Sequence, residues 1–266
     1  MPSRAEILRE LGLAPEWRLR RPAGTEPLAE APMVAAPEPE AAAVPAAVTT
    51  GRPRVPAPVA GADAAARLAR IAALGWDDFA ADVDACTACG LCRARNRSVP
   101  GVGDVHAQWL LIGEAPGAEE DARGEPFVGQ AGKLLDNMLA SLGMNRREHV
   151  YIANVLKCRP PGNRTPEPLE VDACRPYLER QVALIRPRLI LALGKSAASL
   201  LLGTDASIAS LRGRVHRYRD VPLVVTYHPA YLLRSLHDKA KAWEDLLLAR
   251  RTLGASLSGA DARGDA

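Results

Sequence analysis

Apolar residues along this chain gather into four short runs, at 109–112, 150–156, 189–193 and 223–227. Short, mostly apolar runs, rather than alternating ones, suit strands buried on both faces. Apolar positions at helical spacing fill 130–142, 168–185, 195–202 and 237–251. Strands alternating with helices predict βαβ units. The expected class is α/β, a three-layer α/β/α sandwich around a central, mostly parallel four-stranded sheet. Such folds bind ligands beyond the carboxyl ends of their strands. Three of those ends are chemically loaded here: "GEAPG", "NVLKCRPPGNR" and "YHPAYLLR" follow the first, second and fourth runs, and the third ends "ALGKSAAS".

The flanks read differently. Residues 4–13 carry apolar positions at helical spacing, with Ser3 as an N-cap. Ile7, Leu8, Leu11 and Trp17 would anchor that helix on a protein partner. Nine of the chain's 22 prolines fall in residues 22–60, among Ala, Glu and Val. That composition predicts an unstructured, partly extended linker. The expected organisation is a helix plus linker over 1–64, a folded domain over 65–254 and a disordered tail over 255–266, without internal repeats.

The chain has 266 residues and a formal net charge of only +3, so a local basic face matters more than the total. No apolar run approaches the roughly 20 residues of a membrane span. The first residues lack the apolar stretch and cleavage site of a signal peptide. A cytoplasmic protein acting as a monomer, with no membrane partner, is expected. In a reducing compartment cysteines serve as ligands more often than as disulfides. Cys86, Cys89 and Cys92 form a C-x2-C-x2-C run, with Cys158 and Cys174 far downstream. Thiolate ligation without an interleaved histidine suits zinc or an iron–sulfur cluster, and spacing leaves both open. Five candidates for four positions leave one spare. Such a centre would clasp the segment before the sheet to the region after its second strand and contribute to folding free energy.

Within the loaded loops, Glu114 sits on a turn shaped by Gly113, Pro116 and Gly117, where glycine permits close backbone approach to a ligand. Phe127, one of two phenylalanines, stands in a glycine-containing loop and offers a face to a flat ligand. Asn154 interrupts an apolar run, and its carboxamide offers both donor and acceptor, matching the edge of a pyrimidine. His228, at the end of the fourth run, is placed to donate to a developing anion. The "GKS" at 194–196 is not a P-loop, because Leu189 stands where that pattern needs glycine. Arg93, Arg95 and Arg97, with Arg159 and Arg164, lie near the cysteines and would form a phosphate-contact rim.

Taken together, "GEAPGAEEDARGEPFVGQAG" (113–132), "NVLKCRPPGNRTP" (154–166), the C-x2-C at 86–89 with Cys174, and "HPAYLLR" (228–234) resemble the family-4 uracil-DNA glycosylases, the type carrying a 4Fe-4S cluster. The resemblance covers residues 75–252. It implies hydrolysis of the N-glycosidic bond of uracil in DNA after base flipping, the first step of base excision repair. It implies a 4Fe-4S cluster on Cys86, Cys89, Cys158 and Cys174, with Cys92 spare. The base would lie against Gly113, Ala115 and Gly117, with Phe127 stacking on it and Asn154 reading its polar edge. His228 would face O2, and Leu232 would act as the wedge filling the flipped base's place. Ala115 stands where related family-1 enzymes carry a water-positioning aspartate, and Gly117 where they carry a thymine-blocking tyrosine. That leaves Glu114 as the catalytic acid. The Arg-Arg-Ile-His type of loop of relatives that trap uracil covalently is not found after Gly132. A non-catalytic or covalent uracil-DNA-binding iron–sulfur protein and a redox-sensing cluster protein are the alternative readings.

Overall fold

The computed structural model describes residues 61–261, and the expected N-terminal helix and most of the linker lie outside them. Two helices, α1 (Gly61–Ala73) and α2 (Trp76–Asp84), lead into the first cysteines. There follow β1 (Val102–Gly103), β2 (Trp109–Gly113), α3 (Ala118–Arg123), α4 (Gln130–Ala140) and β3 (Val150–Asn154). The chain continues through α5 (Pro168–Ile185), β4 (Leu189–Leu193), α6 (Lys195–Leu202), α7 (Ile208–Leu211), β5 (Val215–Tyr218) and β6 (Val221–Thr226). It closes with α8 (Pro229–Leu232) and the long α9 (Lys239–Asp261).

The sheet has six strands in the order β1-β3-β2-β4-β6-β5, not the four expected. The central four, β3, β2, β4 and β6, are the apolar runs and pair in parallel. The additional strands are antiparallel edges. β1 has two residues, one of them glycine, and β5 alternates exposed with half-buried residues, so neither presents an apolar run.

β2, β3 and β4 are buried at every position. Their successive side chains feed two separate cores, as the strand period of two requires. Leu110, Ile112, Ala153, Ile190 and Val225 pack with Val171, Leu178, Val182, Ala198 and Leu211 from α5, α6 and α7. Leu111, Ile152, Leu191 and Val224 pack with Leu135, Leu139, Leu246 and Ala249 from α4 and α9. The result is the expected three-layer sandwich. Each fully buried aliphatic side chain contributes about 1.5–3 kcal/mol. The first helix, α1, begins at Gly61, and the last, α9, ends at Asp261.

α1 and α2 join this body through Ile71, Phe79 and Val83, which pack on Tyr177 of α5. The register aligns the strand ends that matter. Gly113 pairs with Asn154, Ile112 with Ala192, and Leu193 with Thr226. From β2 the chain steps to β3 on one side and later to β4 on the other, so the carboxyl ends diverge beside β2. That switch point opens a crevice.

Candidate active site and cysteine centre

A cavity of about 520 Å³ lies at this crevice. Its walls come from Glu114 to Gly117 and Glu120, from Phe127 and Ala131, from Asn154, Asn163 and Arg164, and from His228, Ala230 and Arg234. All the expected pocket residues except Gly113 line it directly. Gly113 lies beneath, and its contribution is space: a Cβ there would overlap Asn154 Oδ1 and come within 2.8 Å of Phe127 Cζ. The first loop is stitched to the second strand by Val155 N donating to Gly113 O (2.9 Å) and Leu156 N donating to Glu114 O (3.0 Å).

Asn154 is 2% exposed, and its Oδ1 is buried with no partner. An unpaired buried acceptor costs about 1–3 kcal/mol, so a lone one facing a cavity is set for a ligand's donor. Beneath it, Lys157 Nζ donates to Asn154 O (2.7 Å) and Gln181 Oε1 (2.5 Å), and Gln181 Nε2 donates to Pro100 O (2.7 Å). Burial pulls the Lys157 amine down to about 8, against the pull of the neighbouring Cys174 and Cys158.

His228 caps α8, and its Nδ1 accepts from Ala230 N at 3.1 Å. An accepting Nδ1 leaves the ring proton on Nε2, so the neutral imidazole is a donor. Burial pushes its pKa down to about 4, with Glu120 opposing and Arg234 assisting. Its ring stacks obliquely with Phe127, centroids 5.5 Å apart. Gly194, at φ +95°, lies so close that a Cβ would come within 2.9 Å of His228 Cβ. The Lys195-Ser196 pair after Gly194 opens α6, as expected.

Two residues that the sequence reading passed over shape the pocket. Glu120 accepts from Gly117 N (3.1 Å), Val128 N (3.0 Å) and Gly129 N (3.2 Å), tying the first loop to the Phe127 loop. An acid three residues after Gly117 in "GAEE" is a helix-start signature, and that signal was available. Arg146 Nη2 donates to Phe127 O at 2.7 Å, and neighbouring residues give no hint of it.

The structure corrects Leu232. It is 1% exposed and packs with Tyr227 and Ala242, against Leu134 and Met138. The turn of α8 points it inward and carries the next residue, Leu233, out to 43% exposure. A wedge must be free to leave the protein, and Leu232 is held in the core. Arg95 is also corrected. Its guanidinium turns inward, with Nη1 donating to Cys158 Sγ (2.9 Å) and Nη2 to Asp84 O, so it is not on a phosphate rim. Arg164, at the cavity, is paired with Glu170 through both guanidinium nitrogens (2.9 and 2.6 Å). Arg93 and Arg97 are exposed, and so is Arg234 at the mouth.

All five cysteines are free thiols around one small space, shared with Val83, Lys157 and Tyr177. Burial pushes the Cys174 thiol up to about 12 and Cys158 up to about 11. Burial also pushes Cys89 up. Burial acts the same way on Cys86, but hydrogen bonds from the Ala88 backbone, Tyr177 and Arg67 outweigh it and hold that thiol below its ordinary value. Lys157 N donates to Cys174 Sγ at 3.2 Å. Asn96, just past the cysteine run, donates through N (2.9 Å) and Nδ2 (2.6 Å) to the buried Asp121 of α3, so this segment is tied directly to the first loop's helix.

Fold and site together define a doubly wound α/β domain with a cavity at its switch point, lined by an aromatic ring, a carboxamide and an imidazole. The chain belongs to the uracil DNA glycosylase superfamily, which residues 100–247 match. It is 46% identical over 165 residues to a type-4 uracil-DNA glycosylase of Archaeoglobus fulgidus, covering 59% of this chain and 82% of the relative. A type-4 uracil-DNA glycosylase of Pyrobaculum aerophilum is 43% identical over 171 residues, 61% of this chain and 87% of that protein. One of Thermotoga maritima is 46% identical over 155 residues, 58% and 80%. Among the described residues no helix is long and apolar enough to cross a membrane.

Proposed function

We propose that this chain is a DNA glycosylase that hydrolyses the bond between uracil and deoxyribose in DNA, the opening step of base excision repair. The observation that carries the reading is the unpartnered Asn154 Oδ1, buried at a cavity that Phe127 and His228 also line. An extruded uracil, which costs a few kcal/mol to unstack, would lie on Phe127. Asn154 Oδ1 would accept from its N3–H, and Nδ2 would donate to O4. As the glycosidic bond breaks, charge builds on the ring, and the neutral His228 Nε2–H would donate to O2. Losing one such preorganised donor costs about 10²–10³ in rate. Glu114, the acid of the first loop, would orient water toward the anomeric carbon and favour the cationic sugar. Arg234, exposed at the mouth, would meet a DNA phosphate.

The cysteines fit a 4Fe-4S cluster on Cys86, Cys89, Cys158 and Cys174. Donors converge on these four sulfurs: Arg67 and the Ala88 amide on Cys86, the Leu91 amide on Cys89, Arg95 on Cys158 and the Lys157 amide on Cys174. When bound, the group would supply a structural clasp, pinning the 86–97 segment and α5 beneath Asn154.

Uracil release is tested on single-stranded, U:G and U:A oligonucleotides, scored as strand breaks after alkali. The wild type should release uracil, and Asn154→Ala should lose at least about tenfold with an unchanged melting temperature. Tight binding of uracil-DNA with no abasic product would refute the enzymatic reading and favour a binding module.

A further inference from the structure

Phe127 has φ +54°, a left-handed conformation that is strained for a bulky non-glycine residue. Yet this residue supplies the flat face of the cavity, so something holds it there. Two groups grip its backbone from opposite sides. Arg146 donates to the carbonyls of the two successive peptide units that flank Phe127, Nη2 to Phe127 O (2.7 Å) and Nη1 to Pro126 O (3.3 Å). Glu120 accepts from the next two amides, Val128 N and Gly129 N. The guanidinium is itself aimed: Asp136 of α4 takes Nε (2.8 Å) and Nη2 (3.1 Å), and Glu125 takes Nη1 (3.2 Å). Gly132, the third residue of α4, leaves room for the Phe127 carbonyl, which a methyl there would overlap.

We infer that Arg146 is a positioning residue for base recognition: it locks Phe127 in its left-handed backbone, so that the ring stands ready as a stacking platform before the base arrives. Arg146 lines no part of the cavity and belongs to the turn before β3. Its planar fork satisfies two successive carbonyls and two carboxylates together, a geometry that a lysine cannot reproduce. Freed of it, the Phe127 loop would relax toward an ordinary φ and carry the ring off the base plane. Preorganisation of this kind lowers the ordering cost of binding. The inference rests on the uracil-pocket reading above.

The test is a double-mutant cycle on Arg146→Ala and Phe127→Ala, read by single-turnover uracil release and by inhibition with free uracil. Base–aromatic stacking predicts that each single variant loses about tenfold in kcat/KM and weakens free-uracil inhibition by a similar factor. If Arg146 acts through Phe127, the double variant is no worse than Phe127→Ala within about twofold, and Arg146→Lys does not rescue. Multiplying losses in the double variant, or an unchanged free-uracil constant in Arg146→Ala, would overturn the inference. Should Arg146→Ala not fold, Asp136→Ala, which leaves the guanidinium unaimed, enters the same cycle with the same expectations. A wild type that neither releases nor binds uracil would sink the pocket reading as well, whereas an active wild type matched by Arg146→Ala sinks this inference alone.

Discussion

The His228 ring makes a pH prediction whose size follows from the structure. Burial lowers its pKa from 6.5 to about 4. That lowering corresponds to about 3 kcal/mol of preference for the neutral ring in the folded state. Between pH 6.5 and 4 the unfolded chain therefore binds a proton that the folded chain refuses. Stability from this group is fully present above pH 6.5 and drains as pH falls toward 4, by up to about 3 kcal/mol. The same neutrality keeps the Nε2–H donor in its working form across that window. Histidine-labelled protein followed by nitrogen NMR checks this directly, the His228 signal being assigned with His228→Ala. Its resonance should hold the neutral, Nε2-protonated position from pH 8 to below 5. The thermal midpoint should fall over pH 6.5 to 4 in the wild type and fall less in His228→Ala. A His228 signal that titrates near 6.5, or that reports the proton on Nδ1, would refute both the burial argument and the donor assignment.

Two further outcomes follow from packing. Gly113→Ala puts a methyl where Asn154 Oδ1 and the edge of Phe127 stand, so uracil release should fall at least about tenfold, while circular dichroism stays that of the folded domain. Leu232→Ala should destabilise by about 2–5 kcal/mol in denaturant melts. Leu233→Ala should instead leave stability within about 0.5 kcal/mol and reduce release from duplex DNA more than from single strands.

The central architecture was legible because a strand buried on both faces has to be written as consecutive apolar residues, and 109–112, 150–156, 189–193 and 223–227 are written that way. The edge strands were not, since β1 and β5 need only backbone pairing and half-wet side chains. Phe127, Asn154 and His228 stood out as residues at odds with their surroundings, and the fold brings them to one cavity. Leu232 was misplaced because a single turn of helix decides which of two adjacent leucines faces out, and no spacing in "YLLR" encodes that choice. Arg95 and Arg146 look like solvent-facing cations in the sequence. Their partners are a sulfur 63 residues away and a carbonyl 19 residues away, contacts that exist only in three dimensions.

The cavity walls are contributed by residues 114–117, 127, 154 and 228, which meet only when the parallel strands align their ends. No single loop carries the whole pocket. On the proposed reading, free base would bind the whole domain rather than any loop, and at a hundred times its dissociation constant it would raise global stability by about 2.7 kcal/mol. A chain caught part-way through folding would be silent toward DNA, so the appearance of catalysis during refolding would mark the arrival of the last strand.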